Sequence, residues 1–327
     1  MDPFTHGIVG LAIGALSNEP LSPYNPVYGA ALLGAVAPDL DVVAMLKGDL
    51  YFIRNHRGAT HSLAGFIVLS AVIAGLFFLD YRGNPLEYFF WAAAGAISHG
   101  ILDSLNSYGT LLFWPFSSKR CAGNLLMFFD PFLVFLFLPV FFSSWAPHKV
   151  ACLSLGLTGL YLLLRLIIRM KVEHFLRNKF SAPKSRIKLS VLPALRGIAN
   201  WDFVIEAPKE MLFGTLNLPG PGICRKQSLP KSEHTPVVLK ALQTIPGKFF
   251  RQFTSLYHIK SWQDKNKHIV KFIDLRFKDK SDFFYKLTLV FNEQLHLEKA
   301  YFHRLGETVP VNRHFQEDKS NTQTMAG

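Results

Sequence analysis

The chain has 327 residues, 50% of them hydrophobic and 30 of them Phe, and its formal net charge is +12. So high a hydrophobic fraction argues against a wholly soluble protein, and the length leaves room for two domains. The three cysteines are widely spaced with no C-x-x-C pair, which excludes a zinc knuckle and gives no sign of a disulfide framework.

The charge is distributed unevenly along the chain. Residues 1–170 contain nine Lys or Arg and nine Asp or Glu, whereas residues 171–327 contain 26 basic and 14 acidic residues. The first half is therefore apolar and charge-balanced, and the second half carries the whole positive excess. The N-terminus lacks the basic region of a signal peptide, so we expect no cleavage there.

Apolar segments in the first half approach the ~20 residues that cross a bilayer core. Two early segments, 7–16 and 28–37, are each too short to span and predict a helical hairpin or a pair of broken helices. Longer apolar segments predict membrane spans at 62–79, 88–106, 125–146 and 150–168. We therefore predict an α-helical polytopic membrane domain over residues 1–170.

The loops between these segments give the orientation, because cytoplasmic loops are enriched in Lys and Arg. A basic run follows the last predicted span, and the loops at 47–60 and 107–124 also carry Lys and Arg. The loops at 80–87 and 147–149 hold one such residue each. We therefore expect a multi-pass protein with its C-terminus in the cytoplasm.

The C-terminal half changes pattern after a basic juxtamembrane linker at 171–190. Residues 236–256 predict a helix broken at Pro246. Alternating apolar and polar residues, rich in β-branched and aromatic types, predict strands at 201–206, 268–277 and 284–291. We expect a small α+β cytoplasmic domain at 191–312, followed by a disordered tail at 313–327.

Ionisable side chains gather at the ends of the predicted spans. Such groups cost roughly 2.5–3.5 kcal/mol each at mid-bilayer and usually face a cavity or a partner. Applying the topology drawn from Lys and Arg alone places all of the following near the cytoplasmic side: His6, Asp39, Asp41, His56, His61, His99, Asp103 and Asp130. The sequence therefore predicts a polar centre at that side.

The 88–106 segment carries the first candidate pair. His99 and Asp103 are four residues apart, so they share one face of a helix. Ala92, Gly95 and Ala96 extend that face with small residues, which let neighbouring helices approach closely. The pair can bind one metal ion, or Asp103 can simply orient His99, and the pair alone leaves both interpretations open.

Two further strings add ligand types. The P-D-L-D string contains Asp39 and Asp41, of which Asp39 alternatively caps a helix. The H-R-G-A-T-H-S string at 56–62 offers two imidazoles and a guanidinium, its glycine permits a tight turn, and Thr60 or Ser62 can cap the next helix. Mixed His and carboxylate ligands suit Zn, Mn or Fe better than Ca or Mg, and enough are present for two ions.

These strings resemble a known family. T-H-G near the N-terminus, P-D-L-D, H-R-G-x-T-H-S and S-H-x-x-x-D-S-x-N-S-Y-G-T are similar to the strings of the YdjM/YfhP-type membrane-bound metal-dependent hydrolases. The resemblance covers residues 1–131 and, through a D-L-R string at 274–276, more loosely the whole chain. It implies an inner-membrane location and metal-dependent hydrolysis. The H-x-x-x-D pair is also similar to that of zinc-dependent phospholipases C and related nucleases, which favours phosphoester substrates.

The leading prediction is a metal-dependent hydrolase of a phosphoester, such as a phospholipid or lipid-linked substrate, at the cytoplasmic leaflet. A divalent ion, Zn or else Mn or Fe, would activate water for attack. Arg57, Thr60 and Arg120 are the candidate catalytic residues, with the two arginines stabilising anionic charge. The predicted metal ligands are His6, Asp39, Asp41, His56, His61, His99 and Asp103.

Two other functions stay open. A transporter of divalent metal ions or protons would use the same His and Asp cluster, although the outward halves of the predicted spans hold few polar groups. A binding module would dock its basic domain on anionic lipid or nucleic acid, and its metal site would be structural. No nucleic-acid motif is present, so the expected partners are membrane lipid and an anionic phosphoester rather than nucleic acid.

Overall fold

The described part of the chain divides into two compact units. The helical unit consists mainly of Met1–Val42 and Asn55–Leu176, with Val191–Pro193, and the C-terminal unit, built mostly of strands, contains the remaining described residues, including Val43–Arg54. The predicted fold class, a helical domain with apolar helices followed by a small α+β domain, is confirmed at that level. The predicted tail at 313–327 lies outside the described residues. The computed structural model describes residues 1–180, 187–195, 197–218, 222–232, 235–279, 282–304 and 306–311.

The first 180 residues are helical apart from their loops. Short 3-10 segments follow α1 at Ala15–Ser17, continue α2 at Ala37–Lys47 and precede α4 at Ala59–His61. The α-helices are α1 (Pro3–Gly14), α2 (Pro26–Val36), α3 (Asp49–Asn55), α4 (Leu63–Tyr81), α5 (Pro85–Ser104), α6 (Pro131–Phe137), α7 (Pro139–Phe142) and α8 (Pro147–Phe180).

Helices α1, α2, α5 and α6 begin with the same local signal, an Asp or Asn followed by Pro. The side chains of Asp2, Asn25, Asn84 and Asp130 each accept a hydrogen bond from a backbone N–H in the first turn. Such side chains satisfy N–H groups that have no partner within the helix, and proline suits the first position because no intrahelical N–H is lost there. The sequence therefore sets where each of these helices begins.

Within the described residues, three helical stretches are long and apolar enough to cross a membrane. The predicted spans 62–79 and 150–168 coincide with two of them. The predicted half-span 28–37 is wrong in extent, because the helix continues past Pro38 as a 3-10 segment. The stretches are Pro26–Leu46, Leu63–Tyr81 and Pro147–Phe180.

Two predicted spans and the predicted linker also differ from the structure. Segment 125–146 is not one span, because Pro139 separates α6 from α7 and the apolar helical stretch covers only Pro131–Phe142. Proline cannot donate the next helical hydrogen bond, so the chain breaks there. Segment 88–106 forms α5, which contains Glu87, His99 and Asp103 and is not one of the three apolar stretches. Helix α8 continues to residue 180, into the predicted linker.

Helices α2 and α5 pack with their backbones in close contact. A Cβ atom added to Gly34 would lie 2.0 Å from the carbonyl oxygen of Ala92, and one added to Gly95 would lie 2.2 Å from that of Ala31. Only glycine fits at both positions, as expected where small residues let helices approach closely. The predicted stripe of small residues on α5 therefore faces α2.

The C-terminal unit contains a four-stranded sheet of order β1-β2-β3-β4 and a five-stranded sheet of order β11-β10-β9-β6-β5. The predicted helix is present, but it breaks at Thr244 rather than at Pro246. The elements are β1 (Lys188–Pro193), β2 (Asn200–Glu206), β3 (Glu210–Asn217), β4 (Gly222–Pro230), α9 (Pro236–Gln243), α10 (Ile245–Phe253), β5 (Tyr257–Asp264), β6 (Lys267–Asp274), β7 (Lys278–Asp279), β8 (Asp282–Phe283), β9 (Tyr285–Phe291), β10 (Leu297–Arg304) and β11 (Glu307–Pro310).

The five-stranded sheet has one core face and one outer face. Val270, Phe272 and Leu287 are completely buried on the core face. The Phe250 ring of α10 packs on the Phe272 ring, with 5.7 Å between the ring centroids. Because side chains alternate along a strand, residues such as Lys271 point to the opposite, outer face. That outer face is the one that α9 and α10 do not cover.

Candidate metal centre

Four side chains from three segments of the helical unit converge. Asp39 lies in the 3-10 segment after α2, His61 immediately precedes α4, and His99 and Asp103 lie one turn apart on α5. One ligand atom from each residue lies within 4.8 Å of the other three. The side chains of His61, His99 and Asp103 are completely buried, while 14% of the Asp39 side chain is exposed. Asp39 therefore marks the side of the centre that reaches the surface.

The distances between the ligand atoms suit a single metal ion. His61 Nε2 lies 3.4 Å from Asp39 Oδ1 and 3.5 Å from Asp103 Oδ2. His99 Nε2 lies 3.7 Å and 3.6 Å from the same two oxygens. Ligands about 2.1 Å from a tetrahedral ion are roughly 3.4 Å apart. Neither Nε2 atom forms a hydrogen bond in the described part of the chain, so both fit a ligand role.

Each of these imidazoles is held through its other nitrogen. His99 Nδ1 lies 2.7 Å from the carbonyl oxygen of Ala35, to which it donates. His61 Nδ1 lies 3.1 Å from the Thr60 hydroxyl and 3.5 Å from an oxygen of Asp41. Contacts of this kind orient ligating imidazoles and fix their tautomer. Burial lowers the pKa of His61 well below its usual value, although Asp41 opposes the shift, and this favours the neutral form that metals bind.

Asp41 and His56 lie beside this group of four. His56 Nδ1 is 2.8 Å from Asp41 Oδ1, and the backbone N–H of Arg57 donates to Asp41 Oδ2 at 2.8 Å. Asp41 therefore fixes the loop that carries His61. Burial lowers the pKa of His56, with Asp41 again opposing the shift. That Asp41 and His56 themselves bind a metal ion stays a prediction.

His6 contacts the group from another side. Its ring stacks on the His99 ring with 3.8 Å between centroids, and its Nε2 lies 3.3 Å from Asp103 Oδ1. The amino group of Met1 contacts the same oxygen. All seven predicted ligands thus lie in one region. Within the described residues, four of the seven place a ligand atom close enough to the others to share one ion. A second metal ion stays a prediction.

Arg57 lies against the acidic part of the centre. Its Nε is 3.1 Å from Asp103 Oδ2, its guanidinium lies 5.2 Å from the centroid of the Tyr108 ring, and its side chain is buried. Its φ of +58° places it in the left-handed region, which is costly for a residue with a Cβ. The sequence predicted the tight turn at Gly58, but the left-handed residue is Arg57. Gly58 is required for space instead, because a Cβ there would lie 2.5 Å from the Asn55 carbonyl oxygen.

The other two predicted catalytic residues support the loop. Arg120 donates to the carbonyl oxygens of His56 at 3.1 Å and Gly109 at 3.4 Å, which joins two loops. The Thr60 hydroxyl contacts His61, as described above. Of the two predicted caps, Ser62 is the one that caps α4, accepting a hydrogen bond of 3.0 Å from a first-turn N–H. A direct catalytic role for Thr60 or Arg120 stays a prediction.

Asp130 lies outside the centre. It caps α6, and its carboxylate accepts a hydrogen bond of 2.8 Å from the Tyr161 hydroxyl. Sequence reasoning also missed two contributors to the centre, the Tyr108 ring and the Ala35 carbonyl. Tyr108 lies within one of the strings that carry the family resemblance, so it could have been found, whereas a backbone carbonyl leaves no trace in the residue types.

Known proteins resemble both units. The family model of the YdjM inner membrane protein matches residues 1–172, and that of the YfhP C-terminal alpha/beta plait domain matches residues 236–309. YfhP of Bacillus subtilis (strain 168) is 28% identical over 315 residues, covering 92% of this chain and 94% of that protein. The inner membrane protein YbcI of Escherichia coli (strain K12) is 28% identical over 155 residues, covering 46% of this chain and 78% of that protein. No solved structure matches the chain.

Proposed function

We propose a function for this chain from one premise: it belongs to the YdjM inner membrane protein family. The resemblance inferred from the sequence strings is thereby confirmed, and three helical stretches able to cross a membrane accompany it. Membership gives the membrane setting but no reaction. The chemistry of the site supports a metal-dependent hydrolase that acts on a phosphoester of a phospholipid or lipid-linked substrate.

One observation carries this proposal, the unpaired Nε2 atoms of His61 and His99 facing two carboxylates inside the helical unit. Arg57 and the Met1 amino group already contact Asp103, so this carboxylate alone does not require an ion. The two imidazole nitrogens are buried polar atoms without a hydrogen bond among the described residues, which is costly. A divalent cation between Asp39, Asp103 and the two imidazoles would satisfy both nitrogens. The mixed nitrogen and oxygen ligands favour Zn, Mn or Fe.

A bound ion of this kind would supply Lewis acidity and activate water for hydrolysis. Arg57, in contact with Asp103, adds positive charge where a phosphoester would become more negative. His56 is the partly exposed imidazole, with 27% of its side chain accessible, and Asp41 holds its Nδ1. His56 is therefore placed to exchange protons between the centre and the solvent.

The surroundings of Asp39 support a lipid substrate. Leu40 and Val42 alternate with the two carboxylates of this segment, and their side chains are 62% and 49% exposed. Apolar side chains at this position would allow acyl chains to lie against the entrance while the phosphoester reaches the ligands. We place the entrance at the cytoplasmic leaflet and the C-terminal unit in the cytoplasm, because basic residues follow the predicted span 150–168 and continue to the last turn of α8.

Elemental analysis of the detergent-purified full chain tests the metal site. We expect about one divalent ion per chain in the wild type, because four ligands surround one position. His61→Ala and Asp103→Ala should each lose it, whereas His268→Ala, which removes a histidine from β6, should retain it. Unchanged metal content in both site variants would overturn the proposal.

A phosphoesterase assay in mixed micelles tests the reaction. We expect activity on a lipid phosphoester that a chelator abolishes and added metal restores. Arg57→Lys should retain metal yet lose much of the activity, because an ammonium group cannot reproduce the planar guanidinium contact. If the protein with its full metal content cleaves neither lipid nor soluble phosphoesters, the proposed hydrolase activity is wrong, although the metal site itself is not contradicted.

A further inference from the structure

The outer face of the five-stranded sheet brings lysines together. Lys260 on β5 is the direct cross-strand partner of Lys271 on β6, and Lys286 on β9 is paired with Ile273, two residues along from Lys271. Like charges placed directly opposite each other destabilise a sheet. The arrangement is therefore unfavourable for the fold itself.

Asp282 offsets only part of the positive charge of these lysines. Lys286 donates to Asp282, but neither Lys260 nor Lys271 forms an ion pair within the residues that the structure describes. Burial lowers the pKa of Lys271, and nearby Lys286 and Lys260 lower it further, with Asp282 opposing them. His303 on β10 shows the same direction, since burial and then Lys271 and Lys286 lower its pKa. An anion on this face would relieve the repulsion.

Protection of a sheet edge explains only part of this pattern. Strand β5 is an edge strand, and lysine on an edge discourages pairing with other chains. That accounts for Lys260. Lys271 and Lys286 lie on β6 and β9, which have neighbours on both sides. Two of the three lysines therefore need another explanation.

These lysines line a groove of about 580 Å³. Ser228 and Leu229 of β4 and Phe213 of β3 form part of its wall, so the four-stranded sheet closes one side. Trp262, whose side chain is 45% exposed, also lines it. The volume falls within the roughly 300–1,000 Å³ typical of small-molecule sites. The groove thus combines positive charge, an available aromatic ring and the size of a small ligand.

We propose that this groove binds a nucleoside phosphate, with Lys260, Lys271 and Lys286 holding the phosphate groups and Trp262 stacking on the base. Phosphate oxygens are strong acceptors for lysine ammonium groups, and bases stack readily on aromatic side chains. The four-stranded sheet closes one side of the groove, which favours a small molecule over a polymer that would have to extend through the groove. The C-terminal unit would then report a soluble nucleotide to a membrane protein.

Isothermal titration of the full chain in detergent with ADP tests this, in the presence of a chelator so that the metal centre does not contribute. We expect one ADP per chain. Lys271→Gln and Lys260→Gln should each weaken binding about tenfold or more, the usual effect of losing a charge-assisted hydrogen bond. Lys267→Gln is the charge-matched control, because Lys267 pairs with Glu298 and does not line the groove.

Two more variants complete the test. Trp262→Ala should weaken ADP binding and Trp262→Phe should largely restore it. His61→Ala should bind ADP normally, which separates this groove from the proposed hydrolase site. The proposal is overturned by the absence of ADP binding at millimolar concentration, or by Lys267→Gln weakening it as much as Lys271→Gln. Binding only to single-stranded RNA or to anionic lipid vesicles would also overturn it.

Discussion

Both units bury ionised groups, but they satisfy them differently. In the C-terminal unit, Asp274 accepts hydrogen bonds from the backbone and side chain of Arg276 and from the Thr254 hydroxyl, at 2.8–3.1 Å. The Arg276 guanidinium also lies 4.6 Å from the centroid of the Phe253 ring. In the helical unit, His61 and His99 keep nitrogen atoms that no described residue bonds. The contrast separates groups that stabilise a fold from groups arranged for a ligand.

The physical reason lies in how desolvation is compensated. A buried ion pair whose carboxylate is fully hydrogen-bonded within the protein leaves no capacity for a ligand, and breaking it leaves an isolated charge. A buried cluster whose imidazole nitrogens have no hydrogen bond instead carries a desolvation cost, and a bound metal ion can remove that cost. Removing a charge should therefore destabilise the C-terminal unit, whereas removing a ligand should change mainly the response of the helical unit to metal.

The largest expected effect is on the self-contained pair. Asp274→Ala leaves Arg276 buried without its carboxylate, which should lower the free energy of unfolding of the C-terminal unit by about 3–5 kcal/mol. Hydrogen exchange followed by mass spectrometry should show faster exchange in β5 and β6. Replacing both residues with apolar ones should recover much of the loss, and metal content should not change. If Asp274→Ala were as stable as the wild type, the Asp274–Arg276 pair would not stabilise the C-terminal unit, and the contrast between the two units would be wrong.

Metal binding should give the next largest effect. At a metal concentration a hundredfold above the dissociation constant, the helical unit should gain about 2.7 kcal/mol, because only the folded site binds the ion. Thermal unfolding of the chelator-treated wild type, with and without Zn, measures this gain. His99→Ala should show no gain, while His268→Ala should behave as the wild type. Equal stabilisation of the His99→Ala variant would mean that the ion binds elsewhere.

The sequence could predict the parts of this site that depend on local spacing. His99 and Asp103 share a helix face at any packing, and the Asp-Pro and Asn-Pro pairs fix helix starts. Tertiary contacts decided the rest. Which of the predicted ligands point their free atoms inward depends on the Ala35 carbonyl and on Asp41. The false span at 125–146 arose because hydropathy does not register the break at Pro139.

A half-buried carboxyl group in the C-terminal unit sharpens the comparison, because among the described residues Asp202 forms no ion pair and belongs to no cluster of metal-ligand atoms. Burial raises the pKa of Asp202 to about 6, although the Thr215 hydroxyl, 2.6 Å away, and Lys278 oppose the shift. The folded state therefore holds this proton more tightly than the unfolded chain, and stability falls as pH rises from about 4 to about 6. Asp202→Asn should remove this dependence.

The expected gain from Asp202→Asn at pH 7.5 is about 2 kcal/mol, less than the full equivalent of the pKa shift because the side chain is partly exposed. At about pH 3, below the pKa of the unfolded chain, the variant and the wild type should be equally stable. Hydrogen exchange in β2 and β3, corrected for the intrinsic effect of pH, measures both. Asp264→Asn, at an exposed position on β5, is the control. If the stability of the Asp202→Asn variant still falls between about pH 4 and about pH 6, a group other than Asp202 causes the pH dependence.

The smallest effect concerns Asp41, where the interpretations from sequence and from structure diverge. As a residue that orients His61 and fixes its loop, Asp41 should matter for metal affinity without being essential, and Asp41→Asn should weaken binding about tenfold, or about 1.4 kcal/mol. Asp39→Asn, which alters a ligand atom directly, should weaken binding much more. Competition with a fluorescent chelator measures both affinities. If the two variants lose metal equally, Asp41 is itself a ligand, and the centre extends beyond the four atoms that now define it.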